Sequence, residues 1–149
     1  TVLGINREGQ ASIVSTTGNP DGHLVLRGGN GGSNYHLEAV QAAASALSKA
    51  GLKERLMVDC SHANSNKDYR RQSDVLASVA DQLRAGSQHV MGVMIESHLV
   101  EGNQKLTADL SQLTYGQSIT DACISFEATE ELSLDLASAV GELQTAVPA

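Results

Sequence analysis

The chain has 149 residues, enough for one domain with its own core. Hydrophobic residues make up 41% and aromatics 3%, with no Trp, so that core must be aliphatic. Ten Lys and Arg against 17 Asp and Glu give a net charge of −7, which argues against nucleic acid as a partner and means that any anionic ligand needs a local basic cluster.

The opening "TVLGIN" runs straight into apolar residues without a Met and reads as the interior of a longer chain. "TVLGINREGQASIVSTTG" is two short β-type runs around Arg7-Glu8-Gly9-Gln10, a hairpin pattern, and "GNPDG" at 18–22 is turn chemistry. "HLVLRGG" predicts a strand ending in two glycines. Residues 34–50 have a helical apolar period closed by Gly51. "RLMVDCSH" predicts a strand, "SNKDYRRQSDVLASVADQLRAG" a helix ending at Gly86, and "QHVMGVMIESHL" another strand. Residues 99–120 read as polar loop, and a final helix starts near Glu127. The order is hairpin, β-α-β-α-β, long loop, α. Strands alternating with amphipathic helices predict an α/β fold with parallel strands. Their continuously apolar cores, Leu24-Val25-Leu26, Leu56-Met57-Val58 and Val93-Met94-Ile95, predict cover on both faces. Two cysteines in unrelated contexts, with no CxxC motif, suit a reducing, cytoplasmic setting. No apolar run is long enough to span a membrane and no signal peptide is visible, so no membrane partner is expected.

Three strands end in polar groups: Arg27-Gly28-Gly29, Asp59-Cys60-Ser61-His62 and Glu96-Ser97-His98. In parallel α/β folds the carboxyl ends of the strands share one edge, where ligands bind. Arg27, His62 and Glu96 should therefore converge. His62 and Glu96 offer one nitrogen and one oxygen ligand, and Asp121 a further oxygen, a set suited to Mn²⁺, Fe²⁺, Co²⁺ or Zn²⁺. The competing reading is a helix-capping His62 and a Glu96 paired with Lys or Arg, and on residues alone both readings stand. Arg27 with two glycines suits an anion: the backbone amides can approach a phosphate and the guanidinium offers a fork, although such a tripeptide is also a common turn. "KDYRR" at 67–71 reads as a solvated face. Cys60 and Cys123 read as small buried residues. Ser61 beside His62 is not a nucleophile–base pair, because neighbouring side chains rarely face each other.

"GHLVLRGG", "VDCSHANSNK", "GVMIESHLVEGNQ" and "YGQSITDACI", in this order, resemble the type I 3-deoxy-D-arabino-heptulosonate 7-phosphate (DAHP) synthases, with "LGIN" and "MVDCSH…NSNKDYRRQ" most like the tyrosine-sensitive branch. The resemblance implies the C-terminal part of a (β/α)8 barrel, residues 23–149, preceded by a β-hairpin region, 1–22. It implies the condensation of phosphoenolpyruvate with D-erythrose 4-phosphate and water to DAHP and phosphate, the first step of the shikimate pathway. The family's metal site uses Cys, His, Glu and Asp; His62, Glu96 and Asp121 fall on the last three, and Arg27 falls on an arginine that binds phosphoenolpyruvate. Such a barrel needs roughly 250 residues, and the chain has 149. The N-terminal half of the enzyme, with the Cys ligand and most of the substrate-binding Lys and Arg, is therefore expected to lie elsewhere; neither Cys60 nor Cys123 takes the ligand position. This chain alone is expected to be inactive. Open sheet edges predict homo-oligomers or association with the missing half. Two alternatives compete: a self-associating fragment that only binds phosphate or metal, and a complete small metal-dependent hydrolase using His62, Glu96 and Asp121.

Overall fold

The computed structural model describes residues 1–146. Its first element is the expected hairpin. β1 (Val2–Ile5) and β2 (Ala11–Val14) pair antiparallel, from Val2↔Val14 to Ile5↔Ala11. Asn6 builds the turn, its side-chain oxygen accepting the N–H groups of Glu8 at 3.1 Å and Gln10 at 2.9 Å. The hairpin is a separate sheet, and Val2, Leu3, Ile5 and Ile13 stay exposed.

β3 (Leu24–Leu26), β4 (Leu56–Asp59) and β5 (Val90–Met94) form a parallel sheet in that order, with β4 central. α1 (Leu37–Lys49) and α2 (Gln72–Arg84) connect them. The core is aliphatic, as composition requires. Leu56 and Val58 of β4 cluster with Val40 of α1 and with Val75, Leu76, Val79 and Ala80 of α2, all buried. Each Leu or Val side chain there contributes about 1.5–3 kcal/mol on burial. α3 (Phe126–Ala146) packs on α2 through Ala139 and partly buried Leu132, Leu136 and Leu143. Both α1 and α2 close as expected: Gly51 and Gly86 take positive φ (+70° and +94°), and the next N–H reaches back to Leu47 and Gln82 respectively.

Three expectations need correction. The second helix begins at Gln72, after a single 3₁₀ turn at Tyr69–Arg71, rather than near Ser65. The intervening residues turn instead, with positive φ at His62, Asn66 and Lys67, because local side-chain hydrogen bonds outcompete the helix. Residues 99–120 are not simply loop: β6 (Val100–Asn103) and β7 (Gln117–Ser118) pair in parallel. Gln104 stitches this polar segment together, donating to the carbonyls of Thr114 and Gln117 and accepting the Thr114 N–H. The strands are not covered on both faces either. Even on central β4, Met57 is only partly buried, and Leu24 (38%), Val25 (40%) and Met91 (53%) on the flanking strands are exposed. The described residues form an open sheet, not a closed barrel.

Candidate metal and anion site at the strand ends

β3, β4 and β5 run parallel, so their carboxyl ends lie on one edge. His62 follows β4, Glu96 follows β5, and Asp121 follows β7. One ligand atom from each lies within 4.8 Å of the others. His62 and Glu96 are partly buried and Asp121 is exposed. Chain positions 62, 96 and 121 are thus one spatial cluster.

The turn after β4 orients His62. Asp59, 3% exposed, accepts the Ser61 N–H on Oδ1 and bonds His62 Nδ1 on Oδ2, both at 2.8 Å. A neutral imidazole donating through Nδ1 keeps its lone pair on Nε2, which lies 3.7 Å from Glu96 Oε1. Ser61 Oγ donates to Glu96 Oε2 at 2.6 Å. The Ser61 hydroxyl therefore serves Glu96, not His62, in keeping with the exclusion of a nucleophile–base pair. One imidazole nitrogen and two carboxylates, with a buried carboxylate behind the imidazole, fit a divalent first-row ion and leave coordination positions for other groups.

Arg27 sits beside this cluster, its Nε 4.0 Å from Asp59 Oδ2 and its side chain more than half exposed. The two glycines after it do not act as expected. The Gly28 N–H donates to Asn34 Oδ1 at 2.7 Å and the Gly29 N–H to the Gly32 carbonyl at 3.0 Å, so neither amide is available to an anion. Gly28 instead permits close approach. Its φ is +72°, and a Cβ there would lie 2.8 Å from the Ala63 Cβ. Arg27 alone among these three residues offers donors to a ligand.

Asn64, 1% exposed, ties the edge together. Its Nδ2 donates to the carbonyls of Leu26 (3.0 Å) and Asp59 (2.8 Å), and its Oδ1 accepts the Asn34 N–H (2.8 Å). Sequence reasoning assigned no role to Asp59, Asn64 or Asn34; an Asp three residues before a His at a strand end was the available signal. Lys67, Arg70 and Arg71 are exposed, and Arg70 stacks on Tyr69, which fits a solvated face. Cys60 is fully buried, and burial, reinforced by the Asp59 charge, pushes its thiol up to about 12. Burial also raises the partly buried Cys123 thiol. Among the described residues, neither cysteine belongs to the His62–Glu96–Asp121 cluster.

The chain is similar in sequence and fold to known proteins. The sequence pattern of the DAHP synthetase I family matches residues 4–134. A phospho-2-dehydro-3-deoxyheptonate aldolase, Tyr-sensitive, of Enterobacter agglomerans is 49% identical over 130 residues, covering 87% of this chain and 61% of the relative. Its counterpart in Escherichia coli K12 is 50% identical over 130 residues, covering 87% of this chain and 36% of the relative. The matches fall in the C-terminal region of these relatives. The solved structure of a phospho-2-dehydro-3-deoxyheptonate aldolase from Francisella tularensis SCHU S4 superposes with a TM-score of 0.84 at 43% identity, over 95% of this chain and 41% of that one. The chain thus spans between about a third and three fifths of the length of these relatives.

Proposed function

The chain belongs to the DAHP synthetase I family, and from that premise we propose that it supplies the C-terminal part of a (β/α)8 barrel that condenses phosphoenolpyruvate with D-erythrose 4-phosphate and water, giving DAHP and phosphate. The observation that carries this reading is the convergence of His62, Glu96 and Asp121 beside Arg27 on the carboxyl edge of a parallel sheet. Residues 23–149 would provide the last barrel strands and helices, and residues 1–22 the hairpin region.

His62 Nε2, a Glu96 oxygen and an Asp121 oxygen would hold a divalent ion, Mn²⁺, Fe²⁺, Co²⁺ or Zn²⁺. Such an ion supplies Lewis acidity that polarises the aldehyde of erythrose 4-phosphate. Asp59 keeps the His62 ring in one tautomer, and Ser61 holds one oxygen of Glu96 in place. Arg27 binds phosphoenolpyruvate with its guanidinium fork and stabilises the phosphate as charge builds on it. C3 of phosphoenolpyruvate bonds to the aldehyde carbon, water adds at C2 and passes one proton to the former aldehyde oxygen, and the C2–O bond to phosphate breaks, leaving a C2 ketone and inorganic phosphate that carries the second proton. Three parallel strands need partners to close an eight-stranded barrel. Catalysis therefore requires the N-terminal half of the enzyme, and this chain alone is inactive or nearly so.

A second reading has its own support. Exposed Leu24, Val25 and Met91 on the sheet, with Leu3, Ile5 and Ile13 on the hairpin, suit a self-associating fragment that binds phosphate or metal without turnover.

The test is DAHP formation by the purified chain with both substrates and Mn²⁺, before and after addition of the N-terminal half of a relative. Turnover only after recombination, abolished by Glu96→Ala, supports the first reading. Phosphate or Mn²⁺ binding with no turnover in either state supports the second. Turnover unaffected by Glu96→Ala would sink the site assignment.

A further inference from the structure

The ladder between β4 and β5 ends just short of Glu96. Its last bond runs from the Cys60 N–H to the Met94 carbonyl, at 2.8 Å. The next donor in step on the β5 side is the Glu96 N–H, and a regular parallel ladder would offer it the Cys60 carbonyl. By then β4 has turned away: the Ser61 N–H is bound to Asp59 Oδ1, and His62 takes a φ of 51°.

Gln72, the first residue of α2, fills the gap. Its Oε1 accepts the Glu96 N–H at 2.7 Å, and its Nε2 donates to the Glu96 carbonyl at 3.1 Å. The same carbonyl also accepts the Ile124 N–H at 3.0 Å. A primary amide therefore stands where a peptide group of β4 would have been. Gln72 is 0% exposed, and a buried Gln is stable only when such partners satisfy it. The two-point contact fixes the backbone of Glu96 and so the direction its side chain leaves the sheet. Ser61 holds the far end, on Oε2, which leaves Oε1 toward His62.

We propose that Gln72 is a positioning residue: by replacing the missing strand at Glu96 it aims that carboxylate at His62 and Asp121 and so sets the affinity of the site for a divalent cation. This rests on the reading of Glu96 as a metal ligand given above. Partners one shell out from a metal ligand change affinity by about 10–100-fold.

The test titrates Mn²⁺, followed by electron paramagnetic resonance, into this chain and into Gln72→Met, Glu96→Ala and Val79→Ala. Gln72→Met keeps the length and removes both hydrogen bonds. Val79→Ala is a control for general destabilisation, since Val79 is a fully buried core residue of the same helix. The expected result is that Gln72→Met weakens Mn²⁺ binding at least about 10-fold while Val79→Ala leaves it unchanged. Wild-type affinity in Gln72→Met, with binding lost in Glu96→Ala, overturns the proposal and leaves the ligand assignment standing. No Mn²⁺ binding by the wild type, or undiminished binding by Glu96→Ala, overturns both. Should Gln72→Met fail to fold, amide exchange in the wild type decides: a Glu96 N–H as protected as that of Cys60 supports the clamp, and exchange at the rate of an exposed loop overturns it.

Discussion

Gly28 and Cys60 are the residues whose surroundings dictate the clearest responses. Gly28→Ala would place a methyl group 2.8 Å from Ala63 Cβ and 3.0 Å from two backbone atoms, at a φ no L-residue favours. The left-handed backbone and the overpacking together cost about 3 kcal/mol, which urea unfolding of the variant should report. The Cys60 thiol sits at about 12, above its ordinary 9.0, so folding favours its protonated form. Its contribution is complete below pH 9 and is lost as pH rises toward 12. Across that window the unfolded chain has released a proton that the folded chain keeps, and stability falls by about 1.4 kcal/mol per pH unit. The difference in unfolding free energy between wild type and Cys60→Ala, followed from pH 8 to 11, should show that slope. At this scale His62 and Glu96 stood out because polar side chains follow apolar strands, whereas Asp121, behind a polar segment, was singled out only by its place after that segment and by the family resemblance. Asp59 and Ser61 were not, because their roles depend on a turn through a positive φ at His62 that no spacing rule encodes. The amides of Gly28 and Gly29 were misjudged for a related reason: their partners, Asn34 and Gly32, lie in a loop without periodicity.

Among the elements, α2 and the β6–β7 segment represent opposite kinds of stability. α2 is held by apolar burial. Leu76→Ala removes a fully buried side chain and should cost about 2–5 kcal/mol by chemical denaturation. The β6–β7 segment is held by side-chain amides in place of a core. Gln104→Leu removes three hydrogen bonds to main-chain groups of Thr114 and Gln117. It should raise deuterium uptake across residues 104–118 at least severalfold while leaving α2 protected; unchanged uptake would show that Gln104 is dispensable there. The contrast explains what the sequence could reveal. The parallel strands read as continuous apolar runs and the helices as apolar periods, with α1 and α2 closed by Gly51 and Gly86, so they were readable. A short parallel pair made of Val-Glu-Gly-Asn and Gln-Ser carries none, and its pairing partners are glutamines that look like loop.

For the whole molecule, the dominant fact is the mismatch between a well-packed centre and open margins. β4 buries Leu56 and Val58 against the helices, while β3, β5 and the hairpin expose Leu24, Val25, Met91, Leu3, Ile5 and Ile13. Sedimentation velocity of the purified chain should show concentration-dependent association, and Leu3→Lys with Ile13→Lys should shift it toward monomer. A monomer at all concentrations would mean that these edges are too twisted or too charged to pair. The parallel order and the direction of the sheet could be inferred from the sequence; the missing cover could not, because continuous apolar strands look alike whether or not their second face has a partner.

The carboxyl edge of this molecule is completed by primary amides: Asn64 across Leu26, Asp59 and Asn34, Gln72 against Glu96, and Gln104 and Gln117 beyond them. Asn and Gln are among the chemically least durable side chains under heat. Hydrolysis at Asn64 or Gln72 would replace an N–H donor with an oxygen facing a carbonyl and would add a negative charge beside Asp59 or Glu96. The site can therefore age while the fold persists, and its shelf life is governed by deamidation kinetics and by how well burial shields those two amides.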